Sequence, residues 1–317
     1  MAGRVSVIIP SYNRARYVTR AVQSALDQRL PDGKVEVIVV DDGSTDETAS
    51  VVARFGPRVH YMRQPNRREG AARNNGAGRA SGEYLAFLDS DDYFLPGKLA
   101  TDAARLGQRD RPALVYSRAM SVDPADRVVG SRLLPAPHGD VFWALARESF
   151  IPLSTVTVRA DAFRACGGFV EDPALSGTAD WELWMRMAAR WPIGFTEQTA
   201  TCIRVHPHSM MHDPTWMERA MLAGVRHALR DPVVARRVGG RRGQVWSHMY
   251  VTIALNAYAN GRRLRCWWWL GRALLAWPPQ TLTTRFLGAC VRAMLGQRGV
   301  HALRAIPILR QGAQGAS

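Results

Sequence analysis

Two apolar runs that each end in a cluster of carboxylates constrain this chain more than any other feature. The β-branched run Val35–Val40 suits a strand buried on both faces, and it delivers Asp41-Asp42-Gly43 to its carboxyl end. Tyr84–Leu88 does the same for Asp89-Ser90-Asp91-Asp92. Strands of this kind need helices on both sides, and the segments between them carry helical periodicity. Val18, Ala21, Val22, Ala25 and Leu26 share one face before Pro31-Asp32-Gly33 breaks the chain. The expected fold class is α/β, a mainly parallel mixed sheet of Rossmann-like type with helices on both faces. In such sheets ligands bind outside the carboxyl ends of the strands, where both acidic clusters fall.

The remaining elements follow from the same patterns. Val5–Ile9 reads as the first strand, ended by Pro10; Val59–Met62 reads as a weaker third strand. Ser44 followed by Glu47 reads as a capping box opening a helix. Leu114–Val122 and Thr155–Arg159 read as further strands with a helix over Gly139–Glu148 between them, and Ala179–Arg190 reads as a helix. From about Thr215 the pattern is helical, with breaks at Gly239-Gly240, Gly261 and Pro278-Pro279. A boundary near His212 divides the chain into an α/β part, 1–212, and an all-helical part, 213–317.

Charge separates the same two parts. Residues 1–214 carry 26 Lys and Arg against 25 acids, whereas residues 215–317 carry 16 Arg, no Lys and 2 acids. Such a basic segment favours an acidic surface. Leu264, Trp267, Trp268, Gly271, Leu274 and Leu275 fall on one helical stripe flanked by Arg262, Arg263, Arg265 and Arg272. Phe286, Leu287, Cys290, Val291 and Met294, with Arg285 and Arg292, repeat the character. Trp near headgroups and Arg on anionic lipid suit a membrane interface, so an anionic membrane surface is the expected partner of 213–317. The alternative use of an apolar stripe is internal packing. The acidic clusters argue against nucleic acid as the ligand, because they repel phosphate unless a metal is bound. No run reaches the roughly 20 apolar residues of a spanning helix, and no secretory leader is read at the start. The four cysteines, with no C-x-x-C, suggest neither a zinc site nor a disulfide framework and fit a reducing cytoplasm. The expected location is cytoplasmic, at the inner face of the plasma membrane.

Several side chains could carry chemistry. Asp89 and Asp91, offset by two residues, could bind a hard divalent ion such as Mg²⁺ or Mn²⁺. Asp41 or Asp42 could accept hydrogen bonds from a nucleoside, or both could belong to a turn. Arg67, Arg68 and Arg73 place guanidinium groups beside a helix start, a combination suited to phosphate. No G-x-G-x-x-G follows the first strand, which disfavours a dinucleotide oxidoreductase. Asp180 could accept a proton as a base or interact with a helix dipole, and His206 could be a metal ligand or a structural residue.

Taken together these segments resemble glycosyltransferase family 2, inverting enzymes of GT-A fold. Pro10-Ser11-Tyr12-Asn13-Arg14 is similar to the family's opening, and Val40-Asp41-Asp42-Gly43-Ser44 to its uridine-contacting turn. Gly70-Ala71-Ala72-Arg73-Asn74 through Leu88-Asp89-Ser90-Asp91-Asp92 resembles the segment carrying D-x-D. Gly167-Gly168-Phe169 with Asp180-Trp181-Glu182-Leu183-Trp184 resembles the region carrying the base. The resemblance spans about residues 4–210 and implies a role for each position. Pro10, Tyr12, Asp42 and Arg68 or Arg73 would hold the nucleotide-sugar. Asp89 would contact ribose or metal, Asp91 the metal, and Asp180 the acceptor's proton; His206 would serve metal or diphosphate. It also implies a sugar nucleotide donor, with UDP expected, a divalent metal, and a glycan or lipid-linked acceptor in envelope polysaccharide or glycoconjugate synthesis. The alternatives are a noncatalytic sugar-nucleotide-binding protein of the same fold, or a nucleic-acid-binding protein using the basic last third. Ala179 stands where the family often has Glu. The processive Q-x-x-R-W signature is missing, since Arg190-Trp191 follow Met187 and come too soon after Asp180, so a nonprocessive enzyme is implied.

Overall fold

The computed structural model describes residues 4–31, 33–132, 136–206 and 214–304. The expected boundary at His212 lies outside them. The chain begins with a parallel βαβ series, β1 (Val5–Ser11), α1 (Ala15–Leu26), β2 (Val35–Asp41), α2 (Thr48–Ala53), β3 (His60–Arg63), α3 (Arg68–Arg79) and β4 (Tyr84–Phe87). Next come β5 (Tyr93–Phe94), α4 (Lys98–Leu106), the hairpin β6 (Leu114–Val122) and β7 (Val128–Arg132), α5 (Phe142–Arg147), β8 (Thr157–Arg159), α6 (Ala160–Ala165), α7 (Ala179–Ala188) and β9 (Ile193–Arg204). The strands form one sheet in the order β3-β2-β1-β4-β8-β6-β9-β5, with β7 on the outer part of β6. The flank β3-β2-β1-β4 is parallel, as is the β6–β9 pair, and β8 runs antiparallel between the two. This is the mixed α/β architecture the strand pattern implies.

The helical remainder comprises α8 (Pro214–Ala228), α9 (Pro232–Val238), α10 (Arg242–Ala259), α11 (Arg263–Ala276) and α12 (Thr284–Arg304). The breaks between α9 and α12 fall at Gly239, Gly261 and Pro278, as the glycines and prolines foretell. These helices share one buried apolar cluster with the α/β part, running from Phe87 and Trp184 to Tyr250, Trp269 and Phe286. Among the described residues no helix is long and apolar enough to cross a membrane.

Four local expectations need correction. Pro10 does not end β1, which continues to Ser11 opposite Asp41. Pairing with β4 stops at Ile8, so the N–H that proline lacks points where no ladder partner remains. The capping box does not form: Glu47 precedes α2 without a side-chain bond, and Asp46 receives the Thr48 N–H instead at 3.0 Å. Ser44 Oγ accepts the Asn13 N–H at 3.0 Å. The long strand β9 escaped the pattern reading because polar Glu197-Gln198-Thr199 interrupt it; backbone pairing with β6, irregular near Arg118, forms it. In the helical region Arg265 pairs with Glu218, and Arg285 bonds Thr252 Oγ1 at 3.0 Å and the Arg147 carbonyl. Those two arginines are engaged within the fold rather than left for an outside partner.

The helix α3 lies so close to the sheet that a Cβ at Gly76 would stand 2.7 Å from Ile8 Cγ2 and 3.1 Å from Val40 Cγ2. Both neighbours are β-branched and anchored in strands, so neither can swing aside. We expect Gly76→Val to destabilise the protein by about 1–3 kcal/mol, the usual cost of overpacking. A lowered urea midpoint with an unchanged slope would show it.

Candidate active site

A cleft of about 640 Å³ opens at the carboxyl ends of β1, β2 and β4. Pro10, Tyr12, Asp42, Arg68, Arg73, Asp89, Asp91 and Asp180 all line it, so side chains separated by up to 170 positions meet in one crevice. His206 joins them through Asp91, its Nε2 standing 2.9 Å from Asp91 Oδ2, and its ring stacks on Tyr17 with centroids 5.7 Å apart.

The structure separates the two carboxylates that end β2. Asp41 points inward, accepting the Tyr61 hydroxyl at 2.6 Å and the Ser44 N–H at 2.7 Å, and is fully buried. Asp42 lines the cleft. Its Oδ1 accepts from Gln64 Nε2 at 2.7 Å and from the Arg67 N–H at 2.9 Å, which holds the carboxylate in one orientation.

The arginines separate likewise. Arg67 lies outside the cleft lining and pairs with Glu171 at 2.6 Å. Arg68 is exposed to the cleft with its backbone in the left-handed region at φ 71°, an uncommon conformation for a residue with a Cβ. Among the described residues it has no hydrogen-bond or ion-pair partner. Arg73 is buried. It donates to Asp89 Oδ1 at 2.8 Å and stacks over Phe169 at 5.4 Å, and its Nε–H has no partner among the described residues.

The acidic turn after β4 is stapled to the rest of the sheet. Asp92 accepts the Arg204 N–H at 2.8 Å, while the Arg204 guanidinium donates to the Asp91 and Asp123 carbonyls and to Asp126. Ser154 Oγ accepts the Asp89 N–H at 3.1 Å. Burial raises the Asp89 carboxyl, Arg73 opposes the rise, and the Asp91 charge adds to it; the net direction is upward. Burial and the charges of Asp91 and Asp89 push Asp92 well above the ordinary range. Burial is the larger cause in both, and the crowding of carboxylates in one turn adds to it. Among the described residues no group of three or more His, Cys, Asp or Glu is arranged to hold a metal ion.

Asp180 sits in the first turn of α7, where its Oδ1 accepts the Trp181 N–H at 2.8 Å. Burial pushes its carboxyl up to about 6, against the pull of the Trp181 N–H and Arg73 and with the push of Asp89. The loop leading to it is clamped by Glu69, which accepts the Ser176 hydroxyl at 2.7 Å and the Gly177 N–H at 2.9 Å. Burial would raise the Glu69 carboxyl, but Arg73 and those hydrogen bonds hold it below its usual range. Glu182 and Arg186 form a buried pair one turn on, and Arg186 reaches back to the Gly168 carbonyl at 2.8 Å.

Sequence reasoning missed Arg14, Glu69, Ser154, Arg204 and Met217, all cleft-lining. Arg204 had one signal, its place two residues before His206. Ser154 had none, because a serine matters here only through what the fold brings against its hydroxyl.

With this geometry in view, comparisons with known proteins are specific. Residues 6–144 match the model described as "Glycosyl transferase family 2". An uncharacterized glycosyltransferase of Rickettsia felis is 30% identical over 209 residues, 64% of this chain and 34% of that protein. The chain thus spans about a third of that relative's length. Among solved structures, residues 1–349 of S. aureus TarS share the fold, with TM-score 0.62 and 22% identity over 87% of this chain and 82% of that one. TarS has also been solved with UDP-GlcNAc. The mannosyltransferase PcManGT of Pyrobaculum calidifontis, solved with GDP-Man and Mn²⁺, gives TM-score 0.54 at 20% identity over 92% of this chain and 87% of that one. The matched segment holds both acidic clusters and the buried arginine between them, so residues 6–144 are a segment of the family 2 glycosyltransferase type on a fold shared with TarS.

Proposed function

We propose that the chain is a nonprocessive inverting glycosyltransferase that moves a sugar from a nucleoside diphosphate, UDP in the first instance, to a hydroxyl of a glycan or lipid-linked acceptor. The single observation that carries this reading is the meeting of Asp180, at a pKa of about 6, with Asp89, Asp91 and Asp42 in one cleft. The family match over residues 6–144 and the UDP-GlcNAc and GDP-Man complexes of the structural neighbours support a nucleotide-sugar donor.

The chemistry assigned to each side chain follows from its surroundings. Asp42, held by Gln64 and the Arg67 N–H, is fit to accept from the base or ribose, with Pro10 and Tyr12 beside it. Arg68, exposed and without an ion-pair partner among the described residues, is the better placed of the two arginines for the diphosphate, while Arg73 orients Asp89. Asp180 accepts the proton of the acceptor hydroxyl as that oxygen attacks the anomeric carbon, and the sugar–phosphate bond breaks on the opposite side, giving inversion. A carboxyl near 6 is charged at neutral pH yet more basic than an ordinary one, which suits that task.

Asp89 and Asp91 are the two carboxylates that would hold a divalent cation, with its remaining positions left to the donor's diphosphate. Both offer hard oxygen ligands on the turn that follows β4, and His206 stands against Asp91. A bound Mg²⁺ or Mn²⁺ would supply Lewis-acid stabilisation of the departing diphosphate. The nonprocessive reading rests on the Arg190-Trp191 segment, where Arg190 pairs with Asp231 rather than lining the cleft.

A thermal-shift screen of UDP, GDP and ADP with and without Mn²⁺ tests the donor reading. Selective stabilisation by UDP with Mn²⁺, about 2.7 kcal/mol at a hundredfold excess over the dissociation constant, is the expected result. No stabilisation by any nucleoside diphosphate would sink it. For the base, transfer by the wild type should rise with pH through about 6 and level off above. Asp180→Asn should lose about 10²-fold or more in transfer while keeping its UDP-induced shift.

Stability gives an independent reading of the same carboxyl. A folded-state pKa raised from about 4 to about 6 means the folded protein pays no penalty below pH 4, loses stability as pH rises from 4 to 6, and carries a constant penalty above. In EDTA, Asp180→Asn should therefore melt a few degrees above wild type at pH 8, and the difference should shrink as pH falls through 6.

A further inference from the structure

The stripe that sequence periodicity marks on α11 is the face the fold leaves uncovered. Cys266, Trp269, Leu270 and Ala273 turn inward, while Leu264 is 88% and Leu275 82% exposed, with Trp267 and Trp268 between them. On α12, Phe286 packs inward, whereas Leu287, Val291 and Met294 are exposed. The two faces are joined, since the Arg263 guanidinium of α11 donates to the Ala293 and Met294 carbonyls of α12 at 3.1 and 2.6 Å. The result is an apolar surface on two helices, far larger in residue content than scattered surface leucines explain.

We propose that this face of α11 and α12 docks on an anionic lipid bilayer. Arg262, Arg272 and Arg292 border it, and among the described residues no carboxylate lies within ion-pairing distance of them. Arg272 stacks 5.3 Å over Trp268, which presents a ring and a cation together at the surface, as a headgroup boundary requires. Charge complementarity selects the occupant. A second copy would bring two segments with 16 arginines and 2 acids against each other, and a nucleic acid has no use for protruding leucines. Acidic headgroups over acyl chains satisfy both features.

The position of the face gives docking a consequence. Glu218 of α8 accepts from Arg265 Nε at 3.2 Å and from Trp269 Nε1 at 2.9 Å, so α8 is bolted to α11. Its neighbour Met217 lines the cleft, its Cε 3.4 Å from where a Cβ on Gly177 would lie, in the loop that leads to Asp180. One helical turn thus connects the docking face to the Asp180 side of the cleft. The docking itself does not depend on the reaction proposed above.

Flotation of the full chain with phosphatidylcholine–phosphatidylglycerol vesicles tests the proposal. The wild type should float with them at low salt, dissociate as salt rises, and remain unbound with phosphatidylcholine alone. Leu264→Gln combined with Leu275→Gln should weaken binding at least about tenfold, with melting temperature unchanged because both side chains are exposed. Failure of the wild type to float at low salt, or equal binding by the double variant, overturns it. So does a wild-type dimer in light scattering that the double variant abolishes, because the face would then belong to a second copy.

Discussion

One buried guanidinium organises the cleft. Arg73 sits under it with Asp89 at 2.8 Å and within the electrostatic reach of Glu69 and Asp180. Each of those carboxylates belongs to a different working part: the acidic turn after β4, the clamp on the loop 176–178, and the start of α7. A charge held in the interior must keep its partners, because removing one leaves the other uncompensated. The three parts are therefore coupled through a single side chain, and the glycine at position 76, one turn along α3, lets that helix lie close enough to the sheet for Arg73 to reach them.

The remaining supports share this character of long-range restraint on short loops. Arg204 binds the acidic turn from the end of β9, with Tyr17 and Tyr93 against its guanidinium. Arg186 and Glu182 hold the Gly168–Phe169 loop on which Arg73 rests. Even the helical region contributes, since Thr178 Oγ1 donates to the Ala220 carbonyl of α8 at 3.0 Å and Met217 closes one wall. Loops tied to distant elements by such bonds need less binding energy for their ordering than free ones would.

Much of this was legible in the residues. Val35–Val40 and Tyr84–Leu88 announced strands and placed their acidic clusters at the carboxyl ends, because strand direction and parallel topology put strand ends and ligands together. The helix breaks after α9, α10 and α11 were legible because glycine and proline act locally. The strand β9 was not, since its polar centre is stabilised by backbone bonding to β6 rather than by side-chain pattern. Glu69 and Ser154 were equally silent, for each acts on a segment more than sixty positions away.

By itself the sequence determined the alternation of strands and helices, the residue types at the strand ends, and the concentration of arginine in the last third, all of which depend on neighbours within a turn or a few residues. Only the tertiary structure decided that Asp42 rather than Asp41 faces the cleft, that Arg73 is committed to Asp89 while Arg68 is exposed at the cleft, and which stripe of α11 is covered. Those choices depend on register between distant strands and on which helix reaches which surface first. Local chemistry cannot rank such alternatives, because the contacts that separate them form only when the chain has closed on itself.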